Sequence, residues 1–412
     1  MKSVPAYSRH MINLCPAAFA AFLGTLIKGS LLEGEETRRF EEAFARCIGV
    51  KFAVAVASAR LGLWLGLKAL GLEGGDEVIL PAYTFHAMPI MVKLAGPRPV
   101  FVDVESDTYN INADLIEAEI TPRSRVIIVT HIFGQPAEMD RLTDMAERYG
   151  LFLIEDCAHS LGTSFRGKKV GSFGKMGLFS FSIGKNMPSF GGGMLTSSDE
   201  GLVEKVRGLQ SDFRTPSKIS VMKSVVKGLL AHLLTHPRLF PFTTYPLLRL
   251  LALVGSDWAD RSVEEEVILP GEFPAKWGLR MANFQACAGL EQLKRVDRVN
   301  ASLAKNGAYL SQALSRTPGV VPPLARGEHI HLYYRILVEE AQKFRRELLR
   351  RGVDTQRDDM SACNTIEIFG EEVKSCPIAE SLPARSIEIP NNASLTRKDL
   401  DYIARAVREV AL

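Results

Sequence analysis

Short β-branched or aromatic runs alternate with amphipathic stretches between residues 30 and 200, and this alternation predicts a mostly parallel sheet covered by helices. The predicted strands are Phe52 to Ala57, Val78 to Pro81, Pro99 to Val102, Val126 to Thr130, Phe152 to Glu155, Leu178 to Ser182 and Met194 to Ser197. Helical spacing of apolar positions marks Glu35 to Cys47, Ala59 to Leu70, Ala113 to Ile120 and Met139 to Tyr149 between them. Turn residues at Gly74-Gly75-Asp76, Gly96-Pro97 and Gly150 fall where a helix should hand over to a strand. Asn283 to Leu314 reads as one long helical stretch. A smaller α+β unit then closes the chain, with strands His331 to Val338 and Ser386 to Ile389 and helices Glu340 to Arg351 and Thr396 to Val410. The fold class is therefore α/β, a seven-stranded, mostly parallel sheet sandwiched by helices, divided into a large domain over 1–282 and a connecting helix with a small C-terminal domain over 283–412.

One segment departs from this rhythm. Residues 213–256 contain no Asp or Glu, while Arg214, Lys218, Lys223, Lys227, Arg238 and Arg249 give it six positive charges. Val221, Met222, Val225, Val226, Leu229, Leu230, Leu233 and Leu234 recur within it at helical spacing, and the atypical insertion extends to about residue 270. No run reaches the roughly 20 apolar residues that span a bilayer. Two readings stand: a buried lid or dimer-interface element, or a helix pair lying on an anionic membrane surface. The apolar stretch from Cys15 to Ile27 is followed by Lys28 and a Glu-rich helix, and is read as part of the fold rather than as a signal peptide.

Composition sets the outer limits. The 412 residues, 46% hydrophobic and 24% charged, describe a globular protein and argue against disorder or a coiled coil. A net charge of +3 excludes a globally basic nucleic-acid binder. Six cysteines without CxxC spacing suggest neither a disulfide framework nor a metal site, and point to a reducing compartment.

Ligands of parallel α/β sheets bind beyond the carboxyl ends of the strands, so the residues there carry the chemistry. Ser58-Ala59-Arg60 opens a helix whose N–H groups and dipole suit a phosphate, although Ser58 also reads as a plain helix cap. Pro81 to His86 brings aromatic rings that can stack on a planar heterocycle. Asp156 ends another strand, with His159 one helical turn beyond, and Ser180 and Lys185 follow the next one ahead of Gly191-Gly192-Gly193. Lys185 lies 29 positions after Asp156. An amine and a carboxylate so placed suggest a lysine that condenses with the aldehyde of pyridoxal phosphate and an acid that keeps the ring nitrogen protonated.

These words, together with Gly74-Gly75-Asp76-Glu77-Val78, Val100-Phe101-Val102-Asp103-Val104, His131-Ile132-Phe133-Gly134-Gln135-Pro136, Gly184-Lys185-Asn186 and Arg280-Met281, resemble the DegT/StrS sugar aminotransferases, fold type I pyridoxal phosphate enzymes. The resemblance covers nearly the whole chain except about 213–276. It implies that Lys185 carries the cofactor, Asp156 pairs with the pyridinium nitrogen, His159 neighbours the phenolic oxygen, Phe85 stacks on the ring and Ser180 binds the phosphate. Lysine rather than histidine at 185 favours transamination over dehydration, and a dehydratase or lyase is the weaker reading. The phosphate loop, usually Ser-Gly-Thr, is Ser58-Ala59-Arg60 here, so a guanidinium replaces a hydroxyl. A partner-subunit Asn of the family falls near Gly278, and Phe190 precedes the Gly run, placing an aromatic beside the substrate entrance. The implied function is transfer of an amino group from L-glutamate or another amino acid to a keto-sugar, nucleotide-linked, for cell-surface glycan or secondary-metabolite assembly. The implied state is a cytoplasmic homodimer, with peripheral attachment to the inner membrane face and a lipid-linked acceptor as one alternative and a catalytically silent pyridoxal phosphate-binding regulator as another.

Overall fold

Seven strands build the central sheet: β1 Phe52–Val56, β2 Glu77–Pro81, β3 Arg98–Val102, β4 Ser124–Thr130, β5 Phe152–Asp156, β6 Met176–Ser180 and β7 Gly193–Ser197. The structure is a computed structural model and describes residues 5–253, 273–274, 277–324, 327–369 and 374–412. The strand order is β1-β7-β6-β5-β4-β2-β3, parallel throughout except for β7, which runs antiparallel to both of its neighbours. Each strand lies within two residues of its predicted bounds.

Helices cover both faces: α1 Pro16–Ile27, α2 Glu36–Ile48, α3 Ala59–Leu70, α4 Ala87–Ala95, α5 Met139–Tyr149 and α6 Glu200–Gln210. Because side chains alternate across a strand, β4 sends Val126 and Ile128 into one core with Leu65 and Leu80, and Ile127 and Val129 into another with Met139 and Leu142. Such double burial explains why the strands read as continuous apolar runs. Helix α3 sits especially close to the sheet. A Cβ at Gly66 would stand 2.2 Å from Met176 Cε, so any larger residue there would have to displace the tip of the Met176 side chain that packs beneath the helix.

The predicted long helix over Asn283 to Leu314 is two helices, α9 Asn283–Leu293 and α10 Val296–Leu314. The break at Lys294-Arg295 has no Gly or Pro. It is held by Arg295 N–H donating to the Gln292 carbonyl at 2.9 Å, while the Gln292 side chain reaches the carbonyls of Asn13 and Pro188, tertiary contacts that periodicity does not encode. Beyond α10, strands β8 Tyr334–Leu337, β9 Gln356–Arg357 and β10 Ser386–Ile389 form an antiparallel sheet in the order β8-β10-β9. The strand predicted over His331 to Val338 starts only at Tyr334, because His331 takes a left-handed backbone with φ 49°. Helices α11 Ala341–Arg350, α12 Pro377–Arg385 and α13 Arg397–Ala411 complete this unit. The N-terminal segment joins it: Tyr7 bridges to Val353, and the Arg9 guanidinium meets Asp354 at 2.7 Å.

The insertion forms α7 Lys218–Thr235 and α8 Thr244–Leu253, while residues 254–272 lie outside the described residues. Among the described residues no helix is long and apolar enough to cross a membrane. Phe190 corrects an expectation. It is buried, packing edge-on to Phe19 at 5.5 Å and near Phe284, Val221 and Val225, and so supports the insertion instead of standing at the substrate entrance.

Candidate active site

A cleft of about 770 Å³ opens where the carboxyl ends of β5 and β6 meet the N-terminus of α3 and the C-terminal unit. Ser58, Ala59, Arg60, Phe85, Asp156, His159, Ser180 and Lys185 all line it. Topology explains the convergence. These residues lie at or just beyond the carboxyl ends of β1, β2, β5 and β6, of which β5 and β6 are neighbours while β7 separates β1 from β6 and β4 separates β2 from β5.

Strand β5 ends in two carboxylates with opposite fates. Glu155 points to the back, where it accepts backbone N–H bonds from Gly171, Phe173 and Gly174 at 2.7–2.8 Å and meets His131 Nε2 at 3.2 Å. The group His131, Glu155 and Cys157 is compact enough to share an ion, yet the carboxylate oxygens already accept these bonds and His131 Nδ1 accepts from the Ala137 N–H at 3.1 Å. It reads as a structural network. Asp156 turns to the cleft instead. Burial raises its carboxyl above the usual range, and the Ala158 N–H at 3.0 Å and the charge of Lys185 oppose that rise.

Lys185 follows β6, and its Nζ donates to the Tyr333 hydroxyl at 3.3 Å. Burial lowers its pKa to about 8, with Asp359, Asp156 and Glu388 pulling the other way. About a tenth of the amine is thus unprotonated at pH 7, far more than for a lysine of ordinary pKa, and that fraction is the nucleophile. The Tyr333 hydroxyl in turn donates to the Gly184 carbonyl at 3.1 Å.

His159 Nδ1 accepts the Phe133 N–H at 3.3 Å, which leaves the ring proton on Nε2. Burial, then Lys185 and Arg335, push its pKa well below the ordinary value, so the imidazole is neutral. Ser58 caps α3, its Oγ accepting the Leu61 N–H at 3.2 Å. The first backbone bond of α3 is Gly62 N–H to Ser58 O, and the N–H groups of Ala59 and Arg60 precede it. A Cβ on Gly193 would lie 2.7 Å from Ala59 N and 2.8 Å from the Ser58 carbonyl carbon, so β7 presses directly against this helix start. The Arg60 guanidinium stands 5.9 Å from the Phe85 ring centroid, and Ser180 Oγ is 3.4 Å from Ser182 Oγ.

The family model for the DegT/DnrJ/EryC1/StrS aminotransferases matches residues 16–226 and 245–408. The chain belongs to this family. Its members are pyridoxal phosphate-dependent aminotransferases. The spore coat polysaccharide biosynthesis protein SpsC of Bacillus subtilis (strain 168) is 27% identical over 398 residues, which span 94% of this chain and 92% of that protein. Among solved structures, S. venezuelae DesV in complex with a ketimine intermediate superposes with a TM-score of 0.75 at 27% identity, covering 96% of this chain and 94% of DesV. DesI in the presence of its TDP-sugar product gives 0.74 at 27% identity, covering 99% and 93%.

One wall of the cleft escaped sequence reasoning. The C-terminal unit contributes Tyr333, Gln356, Arg357, Asp358 and Asp359, and the N-terminal segment contributes Arg9. Behind that wall Arg335, fully buried, pairs with Asp358 at 3.4 Å, Asp359 at 2.5 Å and Glu388 at 3.4 Å, while Asp358 also accepts the Tyr83 hydroxyl. The adjacent acids Asp358-Asp359 after a short strand were the available signal, but nothing local says that Asp359 lies near enough to Lys185 for its charge to act on the amine. The pair Tyr83–Thr84 and Ser361–Ala362, antiparallel across the cleft, decides it.

Proposed function

We propose that this chain transfers the amino group of an amino acid, L-glutamate by preference, to a keto-sugar carried on a nucleotide. The single observation that carries the reading is Lys185, an amine whose burial brings its pKa to about 8, sharing one cleft with the buried carboxylate of Asp156. Family membership, SpsC as a polysaccharide-biosynthesis relative and DesI with a TDP-sugar product support the substrate class.

The residues present fit pyridoxal phosphate. Ser58, the Ala59 and Arg60 N–H groups, the Arg60 guanidinium and Ser180 offer a donor set for its phosphate at a helix N-terminus. Asp156 supplies a counter-charge for its ring nitrogen, His159 a donor Nε2–H for its phenolic oxygen, Phe85 a face to stack on and Lys185 the amine that holds it. When bound, the cofactor supplies an aldehyde carbon that exchanges amines and a cationic ring that accepts electron density. The chain's own part is proton management. Lys185 Nζ would serve as the base and acid that moves the proton in the transfer, with the Tyr333 hydroxyl orienting the amine. Asp156, deprotonated beside a cationic ring, keeps that ring charged. Neutral His159 donates without adding a positive charge of its own.

A working homodimer in a reducing, cytoplasmic compartment completes the reading, and the six free thiols support the compartment. The division into a large domain over 1–282 and a small one over 283–412 is part of the same proposal. Ultraviolet–visible spectra of protein made with ample pyridoxine test it: a yellow band bleached by L-glutamate, with release of 2-oxoglutarate, is the expected result. A band that ignores every amino acid donor would leave a binding protein and overturn the reading.

A further inference from the structure

Helix α7 seats on the protein through a narrow stripe. Val221 and Val225 are buried with residues of α1, and a Cβ on Gly228 would stand 2.8 Å from the Phe190 ring. Its other side exposes Ile219, Met222, Val226, Leu229, Leu230 and Leu233, which recur at spacings of three and four and form one continuous apolar strip. Ile219 is 70% exposed, and Phe242 on the turn that follows is 82% exposed. Soluble surfaces rarely show such a strip without a partner. Exposed Lys218, Lys223 and Lys227 lie along the same helix, with exposed Arg214 and Arg238 at its ends. The family model leaves residues 227–244 unmatched, so much of this element is added to the shared fold and is not required by its chemistry.

Charge decides between two occupants. A two-fold dimer through this face would set the strip against its own copy. The five exposed cations along and beside α7 would then meet five, with no carboxylate in residues 213–256 of either copy to neutralise them. An anionic bilayer has the opposite sign. Its headgroup zone can take the apolar side chains while the lysine stems lie along the surface and their ammonium groups reach phosphates. With 18 residues and three lysines in its first ten, α7 is not long and apolar enough to cross a bilayer, so the contact open to it is along the surface.

We propose that α7 and the turn carrying Phe242 form a docking surface for an anionic lipid membrane. The surface is also tied to the cleft. The Ile12 carbonyl accepts from His232 Nδ1 at 2.8 Å and the Ile12 N–H donates to Thr235 at 3.1 Å, three residues from Arg9 in the cleft wall. This docking does not depend on the reaction assigned above.

Flotation of the full chain with vesicles of phosphatidylcholine plus phosphatidylglycerol, and of phosphatidylcholine alone, tests the proposal, alongside light scattering for solution mass. The expected result is flotation with the anionic vesicles only, weakened by salt. The double substitution Lys223→Glu/Lys227→Glu, at exposed positions, should reduce partition at least about tenfold, since each basic residue near such a surface is worth roughly fivefold. Leu230→Asp should reduce it as well, with the solution mass unchanged. Absence of flotation, equal flotation with neutral vesicles, or a Leu230→Asp variant of half the wild-type mass would overturn the proposal, the last by assigning the strip to a subunit interface.

Discussion

The Tyr333 hydroxyl stands between Lys185 Nζ, from which it accepts at 3.3 Å, and the Gly184 carbonyl, to which it donates at 3.1 Å. A residue of the C-terminal unit thereby orients the amine of the large sheet through the backbone of the lysine's own neighbour. Tyr333→Phe removes an acceptor that favours the ammonium form. We expect kcat to fall about fivefold, the worth of one such bond, and the lysine's titration midpoint to move down. Paired steady-state and pH-rate measurements on the two proteins check this, and an unchanged midpoint would show that the contact is incidental.

Lys185 itself sets a pH dependence. Its pKa of about 8 means that the amine is increasingly protonated, and without a lone pair, as pH falls below 8. Attachment of pyridoxal phosphate to cofactor-free protein should therefore slow by about tenfold per pH unit below that value and level off above it. Stopped-flow absorbance follows the reaction directly. A midpoint near the ordinary lysine value would refute the effect ascribed to burial.

Asp156→Asn keeps an acceptor for the Ala158 N–H but removes the charge. Both half reactions should slow by at least about a hundredfold, while the folded stability changes little. Separate single-turnover assays with L-glutamate and with an acceptor distinguish this from a defect in one half only.

Arg335 is wholly buried among Asp358, Asp359 and Glu388. Replacing it with methionine leaves those acids without their cation and should cost about 3–5 kcal/mol. Urea denaturation measures the loss, and a change below 1 kcal/mol would mean that the acids rearrange around water.

Gly228 faces the Phe190 ring at a distance no side chain can share. Gly228→Val should destabilise the protein by about 1–3 kcal/mol through overpacking. Thermal unfolding read beside exposed Gly208→Val, whose Cβ meets nothing within 4 Å, separates packing from helix propensity.

The local pattern determined most of the large unit. Short β-branched or aromatic runs and helical spacing, with glycine at turns such as Gly150 (φ 64°), placed all seven strands and the helices Ala59–Leu70 and Met139–Tyr149, because each depends on neighbours a few residues away. By contrast, α4 over Ala87–Ala95 was not read, and the helix read over Ala113 to Ile120 is α-helical only to Ile116. The eight candidate residues from Ser58 to Lys185 were legible for a similar reason: they follow strands, and strand ends converge in any sheet of this kind. What the tertiary structure decided was everything that depends on distant partners. Lys294-Arg295 breaks a helix with no local breaker, Phe190 turns inward because α1 and α7 enclose it, and Tyr333 and Asp359 come to Lys185 only through the docking of a unit some 150 residues later in the chain. The outward strip of α7 belongs to the same class. Helical spacing marked it as apolar, but only packing on one side showed which residues remain for a partner.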